Sequence, residues 1–210
     1  MEGLEINIPE IETQGSVATM QLPDIDLFDY WNLLSNRILT IDGEIGDWDY
    51  HIVKSIININ IADRSENPKP IIILVNSPGG LLNVTNSIID AIQMSRIPVY
   101  TVNMGEALSG GCLIFLAGEK RFTTRRSWCM CHAGFGGLSG NYNETKEQSK
   151  VWDCQVKVMG EYIVERTGLD TKTYNKYKNK DWWINADQQI EFGFATKMIQ
   201  SINEIIGGAE

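Results

Sequence analysis

Between Leu27 and Ile199, short β-branched runs alternate with longer stretches in which apolar residues return every three or four positions. Leu27 to Leu34 has the helical spacing, and Arg37 to Ile41 reads as a strand ended by Asp42-Gly43. From Asp49 to Ala62, Ile52, Val53, Ile56, Ile57, Ile59 and Ile61 trace one apolar helix face. Ile71 to Val75 is a continuous run typical of a strand buried on both faces, broken at Asn76-Ser77-Pro78-Gly79-Gly80. A helix over Leu82 to Met94 turns Ile88, Ile89, Ile92 and Met94 inward, and Pro98 to Asn103 is the next strand. An apolar helix opens at Ser109 and holds the run Cys112 to Ala117; Glu119-Lys120-Arg121 is a turn and Ser127 to Cys131 a strand. Asn143 to Thr167 predicts a long helix stopped by Gly168. Asp170 caps a short helix through Lys176, and Asn185 caps another over Ala186 to Phe192, closed by Gly193. Strands alternating with helices predict an α/β domain with mostly parallel pairing.

Residues 1 to 26 show no sustained period and read as a mobile N-terminal arm; 27 to 210 read as a single domain, a length that sustains one sizeable core. The net charge of −9 argues against non-specific nucleic-acid binding. No apolar run approaches a membrane span, and the acidic start Met1-Glu2-Gly3-Leu4-Glu5 is unlike a secretory signal, so a cytoplasmic location is expected. Cys112, Cys129, Cys131 and Cys154 are too few and poorly spaced for a disulfide scaffold. Cys129-Met130-Cys131-His132 has the residue types of a metal tract. On a strand, though, the two cysteines face one way and His132 the other, so no metal is expected there.

The chemistry centres on Gly105-Glu106-Ala107-Leu108-Ser109-Gly110-Gly111. A serine opening a helix is ordinarily an N-cap. Gly110 and Gly111 are poor helix formers, and two of them in the first turn imply that backbone approaches something closely. The N–H groups left unpaired at a helix start, together with the helix dipole, favour a developing negative charge. Asn76 to Gly80 is a second glycine turn at the C-terminal end of a strand, where α/β sheets place their ligand crevices. Amides from the two turns can aim at one oxyanion. His132 ends a strand before the glycine loop Ala133 to Gly137 and is the candidate base; His51 lies within a helix, beside Asp49. Asp181, in Lys180-Asp181-Trp182-Trp183, is the candidate acid because two tryptophans can shield it. The residues alone leave the choice among the chain's acids open.

From about Leu27 to Ile199 the sequence resembles the proteolytic subunit of the caseinolytic (Clp) protease family. The resemblance rests on Asn76-Ser77-Pro78-Gly79-Gly80, Met104-Gly105-Glu106-Ala107-Leu108-Ser109, Met130-Cys131-His132 with Gly136-Gly137, and Lys180-Asp181 leading to Ala186 and Glu191-Phe192-Gly193. It implies Ser109 as nucleophile, His132 as base, Asp181 as orienting acid, and the N–H groups of Gly80 and Gly110 as oxyanion donors. It implies a ClpP/crotonase-like fold: a repeated β-β-α superhelical core with a protruding helix/strand handle at about 133 to 167. It further implies a homo-oligomer of heptameric rings stacked as a tetradecamer, cleaving unfolded polypeptides. An AAA+ unfoldase partner would use the ATP, with no cofactor in this chain. Three features depart from the family pattern: Gly110 replaces the usual methionine, Ile72 and Leu74 replace aromatics of the unfoldase-docking pocket, and residues 1 to 26 match nothing in the family arm. A catalytically silent ring subunit, a phage head-maturation-type serine protease and a crotonase-type acyl-CoA enzyme are the competing readings.

Overall fold

The computed structural model describes residues 25–206; the expected N-terminal arm lies outside the described residues, except for the backbone of Ile25 and Asp26. The elements are α1 (Ile25–Ser35), β1 (Ile38–Ile45), a 3-10 turn (Asp47–Asp49), α2 (Tyr50–Ala62), β2 (Ile71–Gly80), α3 (Leu82–Met94), β3 (Val99–Leu108) and α4 (Gly110–Ala117). There follow β4 (Lys120–Thr123), β5 (Trp128–Cys131), α5 (Tyr142–Thr167), α6 (Thr171–Tyr177), β6 (Trp182–Asn185), α7 (Ala186–Glu191), β7 (Lys197–Met198) and α8 (Asn203–Ile206). The sheet runs β1-β2-β3-β4-β7, with β5 pairing both β3 and β6. Every pairing is parallel except β5–β6. This is the mixed α/β architecture that the alternation of strand and helix patterns predicts.

Strand periodicity divides the interior. Ile71, Ile73 and Val75 face the larger core with the apolar sides of α2, α3 and α4. Ile72 points the other way, into a smaller cluster with Ile38, Val102, Phe122, Ile199 and Ile205. Each fully buried aliphatic side chain contributes roughly 1.5–3 kcal/mol. A central strand covered on both faces therefore reads as an unbroken apolar run.

Several boundaries differ from the sequence-based expectation. Asp42-Gly43 does not end β1: the strand continues to Ile45 past a bulge between Asp42 and Glu44. Nor does Asn76 to Gly80 break β2. The segment stays in the ladder, with Gly79 opposite Glu44 and Gly80 opposite Ile45, because the glycines accept backbone angles that other residues resist. Met94 is 78% exposed rather than inward, since it closes the last turn of α3. The expected turn at Lys120 opens β4 instead.

α5 spans 26 residues, roughly 39 Å. Asn141 and Glu144 form a capping box at its start, and Gly168, in the left-handed conformation, ends it. Its first ten residues stand almost free of the body, whereas Trp152, Val156, Met159, Gly160 and Ile163 turn inward at helical spacing. The expected handle is thus a helix alone: residues 132–141 form no helix or strand.

Candidate active site

Ser109 occupies the corner where β3 gives way to α4. Its backbone has φ 51° and ψ −118°, which a non-glycine residue adopts only when its surroundings enforce it. Here they do. Ser109 N–H donates to the Met130 carbonyl at 2.8 Å, and every residue of α4 behind it is buried. The ordinary N-cap role fails, because the Ser109 side chain makes no capping bond to its own helix. Its Oγ instead lies 2.7 Å from His132 Nε2. Strain of this kind costs about 1–3 kcal/mol and gathers at functional sites.

His132 leaves the end of β5, with its side chain 18% exposed. That strand is fastened beneath α4 by sulfur: Cys129 Sγ donates to Cys112 Sγ at 2.8 Å, and Cys131 Sγ lies 3.2 Å from the same atom. Burial pushes the Cys112 and Cys129 thiols up; contact with Cys112, then burial, does so for Cys131. The three groups are therefore neutral thiols that fill the core. The apparent metal tract is split, with its cysteines on Cys112 and its histidine on Ser109. His51 is engaged locally, donating from Nδ1 to the Trp48 carbonyl at 2.9 Å.

Asp181 precedes β6, which pairs with β5 so that Trp182 lies opposite Cys131. Asp181 Oδ1 is 3.9 Å from His132 Nδ1, beyond hydrogen-bond reach, and its side chain is 69% exposed. The expected shielding by two tryptophans does not occur. Trp182 turns inward and stacks on Tyr177 at 4.2 Å, while Trp183 points outward and is 51% exposed, as successive residues of a strand must.

Ser109, His132, Gly80 and Gly110 line one cavity of about 720 Å³. Gly79 lies beside them: a Cβ there would sit 2.7 Å from the Ser109 Cβ and 2.8 Å from the Gly110 nitrogen, so only glycine lets β2 approach the corner this closely. One wall of the cavity is mostly apolar, formed by Leu113 of α4 and Trp152, Val156, Met159 and Ile163 of α5, with Gln155 beside them. Glu44, Cys131 and His132 are the ionisable side chains on the lining. The site expectation did not include this α5 wall or Glu44. The sequence predicts α5 as a long helix, but a helix pattern does not name what its faces cover. Among the described residues no helix is long and apolar enough to cross a membrane.

A strained serine contacting a histidine, on a largely parallel α/β sheet and beside two glycine-bearing backbone segments, is an arrangement suited to nucleophilic catalysis. The profile of the Clp protease family matches residues 25–202, and the chain belongs to that family. It is 30% identical over 175 residues to the ATP-dependent Clp protease proteolytic subunit 2 of Treponema denticola, covering 82% of this chain and 86% of that one. Proteolytic subunit 1 of Rhodopirellula baltica is 32% identical over 170 residues, covering 80% of this chain and 74% of the other. Among solved structures, a ClpP1 point mutant from Listeria monocytogenes superimposes with a TM-score of 0.73 at 25% identity, covering 83% of this chain and 97% of its own.

Proposed function

We propose that this chain is the serine endopeptidase subunit of a Clp-type protease, cleaving unfolded polypeptide through Ser109, His132 and Asp181. The observation that carries the reading is the 2.7 Å contact between Ser109 Oγ and His132 Nε2 at a strained strand-to-helix corner. With the Nε2 lone pair facing the hydroxyl, His132 takes the Ser109 proton as Oγ attacks the peptide carbonyl. The oxyanion rests on the Gly80 and Gly110 amides. His132 then protonates the leaving amine, and water releases the acyl-enzyme. Asp181 stabilises the imidazolium once it closes the present 3.9 Å separation. The mostly apolar α4–α5 wall of the cavity favours substrates with an uncharged side chain near the scissile bond.

The family membership supports assembly into stacked rings, heptameric by resemblance, served by an AAA+ unfoldase that spends the ATP. The exposed first half of α5 is the element proposed to join one ring to the other. One observation favours a second reading, a catalytically silent ring subunit: Asp181 is exposed and out of hydrogen-bond range of His132. Hydrolysis of casein and of short fluorogenic peptides, with and without an unfoldase, separates the two. Turnover by wild type that is lost in Ser109→Ala supports the peptidase; an assembled, folded wild type with no turnover on either substrate supports the silent subunit.

A further inference from the structure

Asn103, Thr123, Ser127 and Gln189 form a polar cluster in an otherwise apolar interior, exposed by only 0, 0, 1 and 0%. Thr123 Oγ1 donates to Gln189 Oε1 at 2.8 Å and meets Ser127 Oγ at 2.6 Å. Asn103 Nδ2 donates to the same Gln189 Oε1 at 3.3 Å and to the Trp128 carbonyl at 2.9 Å. Gln189 Nε2 donates to the Ser127 carbonyl at 3.3 Å. Among the described residues no buried side-chain nitrogen or oxygen lacks a partner. A buried network satisfied in this way favours one arrangement of the elements it joins.

Its position bears on the site. Ser127 directly precedes β5, and Gln189 lies in α7, the helix that directly follows β6. β5 and β6 form an antiparallel ribbon with Trp128 opposite Asn185 at this base and Cys131 opposite Trp182 at the other end. His132 follows Cys131 and Asp181 precedes Trp182, so the candidate base and acid share the ribbon's tip, about 16 Å along the strand from Ser127. We propose that Gln189 is a positioning residue: by tying both legs of the ribbon at the base, it sets the alignment of His132 with Asp181 at the tip. The inference rests on the peptidase reading above and adds to it the device that holds two of its groups in register.

The test is Gln189→Met, which keeps the length of the side chain and removes the amide. Expected are a folded protein of lower Tm and a kcat for peptide hydrolysis reduced about tenfold to a hundredfold, with KM changed less than about twofold. In an Asp181→Asn background, where no carboxylate remains to be aligned, the same change should alter the Ser109 labelling rate less than about twofold. Gln189→Glu, a buried carboxyl that stays protonated and so keeps an acceptor and a donor, should recover most of the rate. A fall in Tm with an unchanged rate, or equal losses in both backgrounds, would overturn the proposal and leave the cluster a purely structural one. If Gln189→Met does not fold, the isosteric Thr123→Val is judged by the same criteria. A folded wild type that never reacts at Ser109 brings down the peptidase reading and this proposal with it, and that control tells the two failures apart.

Discussion

Ser109 and Asp181 belong to regions of opposite character. The serine sits at the start of α4, every residue of which is buried, with its amide bonded to the neighbouring strand. The aspartate sits outside the tip of a two-stranded ribbon, beside outward-facing Trp183 and the irregular 132–141 segment. The geometry follows the packing. Where the partners follow directly from buried β3 and β5, serine and histidine meet at 2.7 Å; where one partner stands in solvent, histidine and aspartate stop at 3.9 Å. A close-packed interior holds a strained corner in place, whereas an exposed carboxylate gains little from a nearby charge. In the proposed mechanism Ser109 and His132 thus form the tightly held half of the site, and Asp181 the exposed half, 3.9 Å from the imidazole.

Substitutions in each half probe that contrast. Ser109→Ala should reduce turnover on the order of 10⁶-fold without disturbing the fold, as measured by peptide hydrolysis and circular dichroism. Asp181→Asn should reduce kcat by about 10⁴-fold if the tip closes during turnover. A loss below about tenfold would instead mean that the acid stays disengaged and that the nucleophile half works alone. Gly79→Ala drives a methyl against the Ser109 Cβ at a backbone angle of φ 97°. It should lower kcat about 10²–10³-fold by shifting the oxyanion donors, together with a lower Tm; unchanged kinetics would show that the corner is less rigid than its packing implies.

Two smaller effects probe rigidity away from the chemistry. Asp63 accepts bonds from the Ser65 hydroxyl and amide and from Arg37, which together hold its carboxyl well below the usual carboxylate range. A carboxyl depressed in the folded state adds stability that is fully present above its ordinary value of 3.8 and is lost as pH falls through that value toward the lower folded one. Thermal melts should therefore show wild type ahead of Asp63→Asn at about pH 6, with the gap beginning to narrow only once the pH falls below 3.8. The smallest effect concerns the thiols. Cys154 is exposed while Cys112, Cys129 and Cys131 are buried, so brief iodoacetamide treatment followed by intact mass should add one group to the native protein and four after denaturation.

The sequence carried the helices better than the strands. Asp170, Asn185, Gly168 and Gly193 mark helix ends through local chemistry, and each cap or stop stands where that chemistry puts it. β4 and β6 are not marked in the sequence because Glu119-Lys120-Arg121 has the polar character of a turn and Trp182 to Asn185 carries no β-branched run beyond Ile184, so their pairing depends on distant partners. Asn76 to Gly80 read as a break because proline and glycine ordinarily signal loops; the ladder to β1 that keeps it extended is a long-range property. At the site, the paired glycines and the strand-ending histidine single out Ser109 and His132, but the separation of their atoms is set by β5 packing beneath α4. The aromatic neighbours of Asp181 single it out in the sequence, although alternation along β6 turns Trp182 inward and Trp183 out. The α5 wall shows the same limit, since a helix face can be read locally and the surface it meets cannot.

The most direct measurement is reaction of the folded wild type with a fluorophosphonate, read by intact mass and peptide mapping beside Ser109→Ala and His132→Ala. The rigid-corner account predicts a single adduct on Ser109, none in Ser109→Ala, and greatly slowed labelling in His132→Ala. A folded wild type that takes no label, or takes it at another residue, would contradict it.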